Sequence, residues 1–307
     1  MEDPSPGARI DDFTIAYRIS RGMNADVFAV WHHGLLTPLA CKRLRPADDA
    51  RHHHAKWRRL LRAEGAALAR LKHPGVVRLI YQKHETELPY LLLEHVGDRT
   101  LRDALKEDGP FEPSLAVRLV QHVGAAVAHA HSHGLIHRDL KPSNVVTRGG
   151  RVVLLDFGVV WKLGAKRRPP DRSGTPQYLA PEQIRRDPLT PATDVYGLGT
   201  MLYELLAGER PFGPGDEGAD APLAARYPQL LEPPKPFAEI GREIPEGLAR
   251  VVEQCLAKDP SERFSRAADL LQALDLYTDV KVWPQEAAAA AAAAAANTAF
   301  DPFGVNS

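Results

Sequence analysis

Five side chains in this sequence have the types and the spacing that phosphoryl transfer requires. That reaction asks for little covalent chemistry: the site must grip the phosphates, hold Mg²⁺ across them and orient the attacking hydroxyl. His137-Arg138-Asp139-Leu140, followed after three residues by Asn144, offers an aspartate to accept the hydroxyl proton and an amide oxygen for Mg²⁺. Asp156-Phe157-Gly158 closes a β-branched run, where a carboxylate at a strand end can meet the metal and the glycine permits the turn. Lys42 ends another apolar run, from which a long cation can reach the α and β phosphates, and Glu64 lies on the following helical stretch to hold it. Alone, Lys42 would read as a solvated lysine and Glu64 as an exposed helix acid. Their order along the chain, with Gly174-Thr175-Pro176 and Ala180-Pro181-Glu182 downstream, makes them one constellation.

The elements that must position these groups fall into two regions. From Phe13 to Val96 short β-like runs (TIAYRI, VFAVW, PLACKRL, VVRLIY, PYLLLEHV) are interrupted by one helical stretch, roughly Ala55 to Leu71. Beyond Gly97 the pattern turns helical, with Leu115, Val117, Val120, Val123 and Val127 at helical spacing between Pro113 and His133. A hairpin, NVVTRGGRVVLLDFG, turning at Arg148, Gly149 and Gly150, interrupts it. Segments 164–172 and 213–221 are rich in Gly, Pro and charge without periodicity and read as loops.

With 307 residues the chain has room for one bilobal unit with a substantial core. Lys plus Arg and Asp plus Glu are 39 each, so global charge gives no reason to expect nucleic acid or an anionic membrane as partner. Two cysteines, Cys41 and Cys255, form no disulfide framework, and the acidic, Pro-rich start lacks a secretory pattern, so the cytoplasm is the expected compartment. The alanine run 287–296 would span only ~15 Å as a helix, against the ~30 Å of a bilayer core.

On these motifs the chain resembles the eukaryotic-like Ser/Thr protein kinases, particularly the bacterial ones, from about residue 12 to residue 276. The fold implied is α+β and bilobal. A small β-rich N-lobe with one main helix occupies residues 12–96 and a larger, mainly helical C-lobe residues 97–276. Residues 1–11 and 277–307 are tails, the second expected to be disordered, with FDPF in it as a candidate docking motif. His73-Pro74-Gly75 and the segment from Asp194 resemble the turn after helix C and helix F of the family. The resemblance implies Mg-ATP as cofactor, with Val27, Ala40 and Val146 around adenine. It makes Leu93 the gatekeeper and has Glu94 and Val96 supply backbone hydrogen bonds. It implies that Leu68, Leu79, His137 and Phe157 stack as a spine, that Arg263 pairs with Glu182, and that Thr175 contacts Asp139 and Lys141. Lys141, two residues beyond Asp139, matches the Ser/Thr-specific members, so the expected partner is a protein with a Ser or Thr acceptor, its identity unspecified, and the expected state a monomer or weak dimer.

The phosphate-covering loop departs from the family pattern. Residues 19–27 keep only Gly22 of the three glycines, with Ser20 and Ala25 in the outer places, where side chains could weaken the clamp or stiffen it. The alternatives are an ATP-binding pseudokinase acting as a scaffold, and a small-molecule phosphotransferase, which would usually lack the segment from Gly174 to Glu182. His52, His53 and His54 cannot converge on one ion and read as a solvated loop. Lys162, Lys166, Arg167, Arg168 and Arg172 make the activation segment basic, either as a solvated loop or as a seat for a phosphate or an acidic substrate. Arg138 is the family's usual partner for a loop phosphate, yet the only hydroxyls between Asp156 and Glu182 are Ser173, Thr175 and Tyr178.

Overall fold

The computed structural model describes residues 5–278 apart from 23, 47–50, 98, 149, 166–168, 170, 217 and 219, and leaves the side chains of 51–53 undescribed. The predicted C-terminal tail from 279 onward, with the alanine run and FDPF, lies outside these residues, as do Lys166, Arg167 and Arg168.

The first region is one antiparallel sheet. Strands β1 (Arg9–Ile10), β2 (Phe13–Arg21), β3 (Ala25–His32), β4 (Thr37–Leu44), β5 (Leu79–Lys83) and β6 (Tyr90–Glu94) lie in the order β1-β2-β3-β4-β6-β5. The two-residue period of a strand divides its side chains. Leu39 and Cys41 of β4 with Tyr90 and Leu92 of β6 enter an outer cluster around Phe13, Ile15, Phe28 and Val30. The alternate residues of β6, Leu91 and Leu93, enter the main core. Lys42 has the parity of that inner face, and its side chain is directed at α1 (Arg51–Arg70) rather than at the outer cluster.

α1 packs on that face through Leu61 and Leu68, with Leu71 just beyond its end, and the same stripe carries Glu64, which is buried. Gly65 permits the close approach: a Cβ there would come within 2.2 Å of Gln82 Oε1. The helix begins at Arg51, four residues before the expected start at Ala55, so the three histidines read as a loop belong to its first turn. No Gly or Pro in 51–55 stops the helix, which extends backwards from its packed face.

The second region is built on α5 (Pro191–Ala207), buried on every side from Ala192 to Leu206, as an apolar helix at the centre of a domain must be. Against it pack α3 (Pro113–Ser132), α7 (Glu246–Cys255) and α8 (Ala267–Leu274), and the region also contains α2 (Leu101–Asp108), α4 (Pro181–Arg185) and α6 (Leu223–Arg226). The expected hairpin is β8 (Val145–Arg148) and β9 (Arg151–Leu154), with Val145 opposite Leu154 and Gly150 at φ +79° in its turn. Two short strands, β7 (Leu135–Ile136) and β10 (Trp161–Lys162), bracket the catalytic segments and pair antiparallel. Bridges from Val76 to Leu154 and from Thr100 to Val146 tie the hairpin to its surroundings.

Candidate active site

The catalytic loop hangs from the buried centre of the second region. Asp194 on α5 accepts hydrogen bonds from the amides of His137 and Arg138 at 2.8 and 2.9 Å, and lies 2.8 Å from His131 Nε2. Burial would raise the Asp194 carboxyl, but His131, His137 and the Arg138 amide outweigh it and hold it below its ordinary value. Arg138 takes φ +74°, a left-handed conformation a non-glycine residue holds only when its surroundings over-determine it. Sequence reasoning did not assign Asp194 this role; an acid in the first turn of a largely apolar helix was the available signal.

The turn delivers Asp139 into a shell of donors. Its Oδ1 accepts from the Thr175 amide and hydroxyl, both at 2.8 Å. Its Oδ2 accepts from Lys141 Nζ at 2.8 Å and Asn144 Nδ2 at 3.2 Å. Lys141 also donates to the Thr175 hydroxyl at 2.5 Å. Asn144 Nδ2 donates to the Asp139 carbonyl at 2.8 Å as well. With its NH₂ so engaged, the amide oxygen is what Asn144 has for a cation.

Across the cleft, Lys42 Nζ donates to Glu64 Oε1 at 2.7 Å and to Asp156 Oδ1 at 3.0 Å. Burial alone would lower the Lys42 ammonium; Asp156 and Glu64 overcome this and raise it above its ordinary value. Burial pushes the Glu64 carboxyl up to about 7 despite Lys42. Asp156 goes the other way, because Lys42 and the Gly158 amide outweigh its desolvation. With one ammonium between two carboxylates, the negative charge is therefore held most firmly on Asp156, and Glu64, the deeper of the two, is the one that more readily takes up a proton. Gly158 has no room for a side chain, since a Cβ would sit 2.9 Å from Asp156 Oδ1 and 3.3 Å from Glu64 Oε2.

Lys42, Glu64, Asn144 and Asp156 face one cavity of about 330 Å³. Ser20, Gly22, Val27, Ala40, Leu93, Glu94 and Val96 line it as expected, together with Ile19, Val77 and Leu155, which sequence reasoning passed over. Val146 does not line it; it is buried, and a Cβ on Gly97 would lie 3.7 Å from it. The mouth is the β2–β3 hairpin. Ser20 lies inside β2 opposite Val27, and neither Ser20 nor Ala25 takes a positive φ, so glycine's freedom is not needed at either outer place. Gly22 is different, since a Cβ there would come within 2.6 Å of the Ala25 carbonyl oxygen. Asn144 and Asp156 offer an amide oxygen and a carboxylate to the same space, a hard oxygen set of the kind Mg²⁺ accepts.

Below the cleft runs a groove of about 770 Å³ lined by Lys141, Thr175, Tyr178 and parts of α2 and α5. Glu204 is engaged there: Arg102 donates to it at 2.7 and 2.9 Å and the Tyr178 hydroxyl at 2.6 Å. Glu209 pairs with Lys235 at 2.7 Å. Lys106 and Arg210 are exposed in the same wall and make no ion pair among the described residues. Elsewhere, Arg263 meets Glu182 through two buried bonds of 2.8 and 2.9 Å, and His137 stands edge-on to Phe157 at 4.8 Å. Leu68 and Phe157 share the main core with Leu79 packed against it.

A bilobal α+β fold with a nucleotide-sized cleft between its regions and an Asp-Lys-Asn loop beneath it defines the class. The protein kinase domain family matches residues 13–274, and the chain belongs to it. It is 36% identical over 219 residues to the serine/threonine-protein kinase PknB of Mycolicibacterium smegmatis, covering 68% of this chain and 34% of that protein. Identity to PknB of Mycobacterium tuberculosis is 35% over 219 residues, again 68% of this chain and 34% of that protein. A probable serine/threonine-protein kinase of Corynebacterium efficiens is 33% identical over 279 residues, 87% of this chain and 41% of that protein. The chain thus spans only about a third to two-fifths of these relatives. None of its described helices is long and apolar enough to cross a membrane.

Proposed function

We propose that this chain is an active Ser/Thr protein kinase that moves the γ-phosphoryl of Mg-ATP onto a protein hydroxyl in the cytoplasm. The observation that carries the reading is the joint assembly of the Lys42–Glu64–Asp156 cluster and the Asp139–Lys141–Thr175–Asn144 loop on one cleft. Asp139 accepts the proton of the acceptor hydroxyl while its donors keep the carboxylate aimed. Lys141, held between Asp139 and Thr175, puts its ammonium where charge gathers on the transferred group. Lys42, fixed by Glu64, grips the phosphate tail, and Val27, Ala40 and Leu93 give adenine an apolar slot behind Glu94 and Val96. Mg²⁺ held by Asn144 and Asp156 would neutralise phosphate charge.

Both groove carboxylates are already engaged, so the exposed Lys106 and Arg210 are the charges a peptide meets, which favours acidic residues around the acceptor. The test is incubation of the purified chain with Mg-ATP and an acidic general substrate such as casein, read by intact mass and phosphosite mapping. Labelling of Ser or Thr is expected. Mg-ATP binding without transfer to substrate or to itself would replace this reading with that of a scaffold.

A further inference from the structure

The activation segment contains a carboxylate that the transfer chemistry does not use, and its partners lie in both regions of the molecule. Asp171 Oδ2 accepts from Lys56 Nζ at 3.0 Å. Lys56 stands on α1 a little over two turns before Glu64, on the same side of the helix. Arg138, whose neighbour Asp139 is the proton acceptor, sends Nη2 to the Asp171 carbonyl at 3.4 Å and lies 4.0 Å from its carboxylate. Ser173 also donates its hydroxyl to Asp171. Arg138 needs such an anion: its side chain is 4% exposed, its Nε has no hydrogen-bond partner, and its other bond runs to the Val159 carbonyl at 3.3 Å. An unpaired buried guanidinium would be strongly unfavourable. The Asp171 carboxyl responds as a group in use should, since its partners Ser173, Lys56 and Arg138 overcome its burial and hold it below its ordinary value.

On the kinase reading above, we propose that Asp171 is a positioning residue, an encoded anion that joins α1 to Arg138 and so keeps Glu64 against Lys42 without a phosphate on the activation segment. The link is electrostatic and spans the cleft, so it orders three parts at once: the helix that holds Glu64, the loop that carries Asp139, and the strand of chain that brings Thr175 to Asp139. Glu64 makes the arrangement demanding. A carboxylate buried this deeply is retained only while its lysine is beside it, and α1 has to be drawn inward for that. Lys56 does the drawing from the helix end nearest the activation segment.

Wild type freed of phosphate by phosphatase, Asp171→Asn, Asp171→Glu and the swap Lys56→Asp with Asp171→Lys should be compared in kcat, KM for ATP and melting temperature. Amide exchange across α1 should be followed in parallel. The phosphate-free wild type should be fully active. Asp171→Asn should lose kcat on the order of 10-fold, the size of a typical coupling between sites, at nearly unchanged melting temperature, and amides near Glu64 should exchange faster. Asp171→Glu should restore most of both, and the swap should restore the exchange protection of α1. Wild-type kcat and exchange in Asp171→Asn would overturn the proposal, as would activity in the wild type that vanishes with its phosphate. A failure of the kinase reading has a different signature, no transfer by any of the proteins, and the exchange comparison still decides whether Asp171 holds α1.

Discussion

The two sides of the cleft are held by different physics. On the catalytic-loop side, Asp139 and its neighbours hang from Asp194 through short bonds inside the buried centre of one region. On the α1 side, the groups proposed to grip the nucleotide are joined by charges that cross from one region to the other, Lys42 to Asp156 and Lys56 to Asp171. A buried network within one packed body has a single arrangement, whereas pairs across a cleft can be made and broken by a shift of one lobe. On the proposed function, the proton acceptor is therefore built as a fixed part and the phosphate grip as an adjustable one.

Asp139→Asn tests the fixed part most directly and should have the largest effect. The amide keeps the size and several of the hydrogen bonds but cannot take the proton, so kcat should fall by about 10²–10⁴-fold while Mg-ATP affinity and melting temperature stay near wild type. Turnover close to wild type would remove Asp139 from the mechanism. Arg263→Ala probes the scaffold beneath: leaving Glu182 buried without its partner should cost roughly 3–5 kcal/mol of stability, measured by denaturant unfolding. A shift below about 1 kcal/mol, the range of an exposed pair, would mean that the C-terminal region is not braced there.

The adjustable part should fail by degrees. Lys42→Met removes the cation that joins Glu64 to the phosphates and should lower kcat by about 10²–10³-fold. Glu64→Gln keeps one acceptor for Lys42 and loses only the charge assistance, which about halves the bond; a drop of roughly tenfold is expected from steady-state kinetics. Equal rates in these two and in wild type would show that another lysine holds ATP and would erase the contrast between the two sides.

Much of this was legible in the chain, for identifiable reasons. Asp139, Asn144 and Asp156 announce themselves because the chemistry fixes both residue type and short spacing, and the two-residue period of β4 already sets Lys42 on the opposite face from Leu39 and Cys41. The Arg263–Glu182 pair and the Thr175 contacts followed the resemblance closely. What stayed hidden depends on three-dimensional neighbours. Whether side chains at the outer positions of the glycine loop weaken the clamp or stiffen it could not be read from the chain, and only the structure places Ser20 in extended strand. The histidines of α1 carry no helix signal of their own. Asp171 sits in a segment without periodicity and gains meaning only from Lys56, more than a hundred residues away.

The smallest expected effect concerns Ser173, and it separates the two sides most finely. The resemblance assigns Thr175 to Asp139, which the 2.8 Å contact bears out, and Tyr178 is buried against Glu204, so Ser173 is the hydroxyl of this segment best placed for modification. Its hydroxyl already donates to Asp171. Removing it in Ser173→Ala leaves Asp171 with Lys56 and Arg138, and water can replace a partly exposed bond whose net worth is ~1 kcal/mol. Activity should therefore fall by no more than about threefold, the rate equivalent of roughly half that bond. A phosphate on Ser173 would abolish the donor and set about 1.5 to 2 negative charges beside the Asp171 carboxylate, competing for Lys56 and Arg138 rather than adding to them. Ser173→Asp should accordingly be less active than Ser173→Ala, an order readable from initial rates on one substrate. The reverse order, with Ser173→Asp rescuing an inactive Ser173→Ala, would make the α1 side a conventional phosphorylation switch and leave Asp171 as its resting-state placeholder.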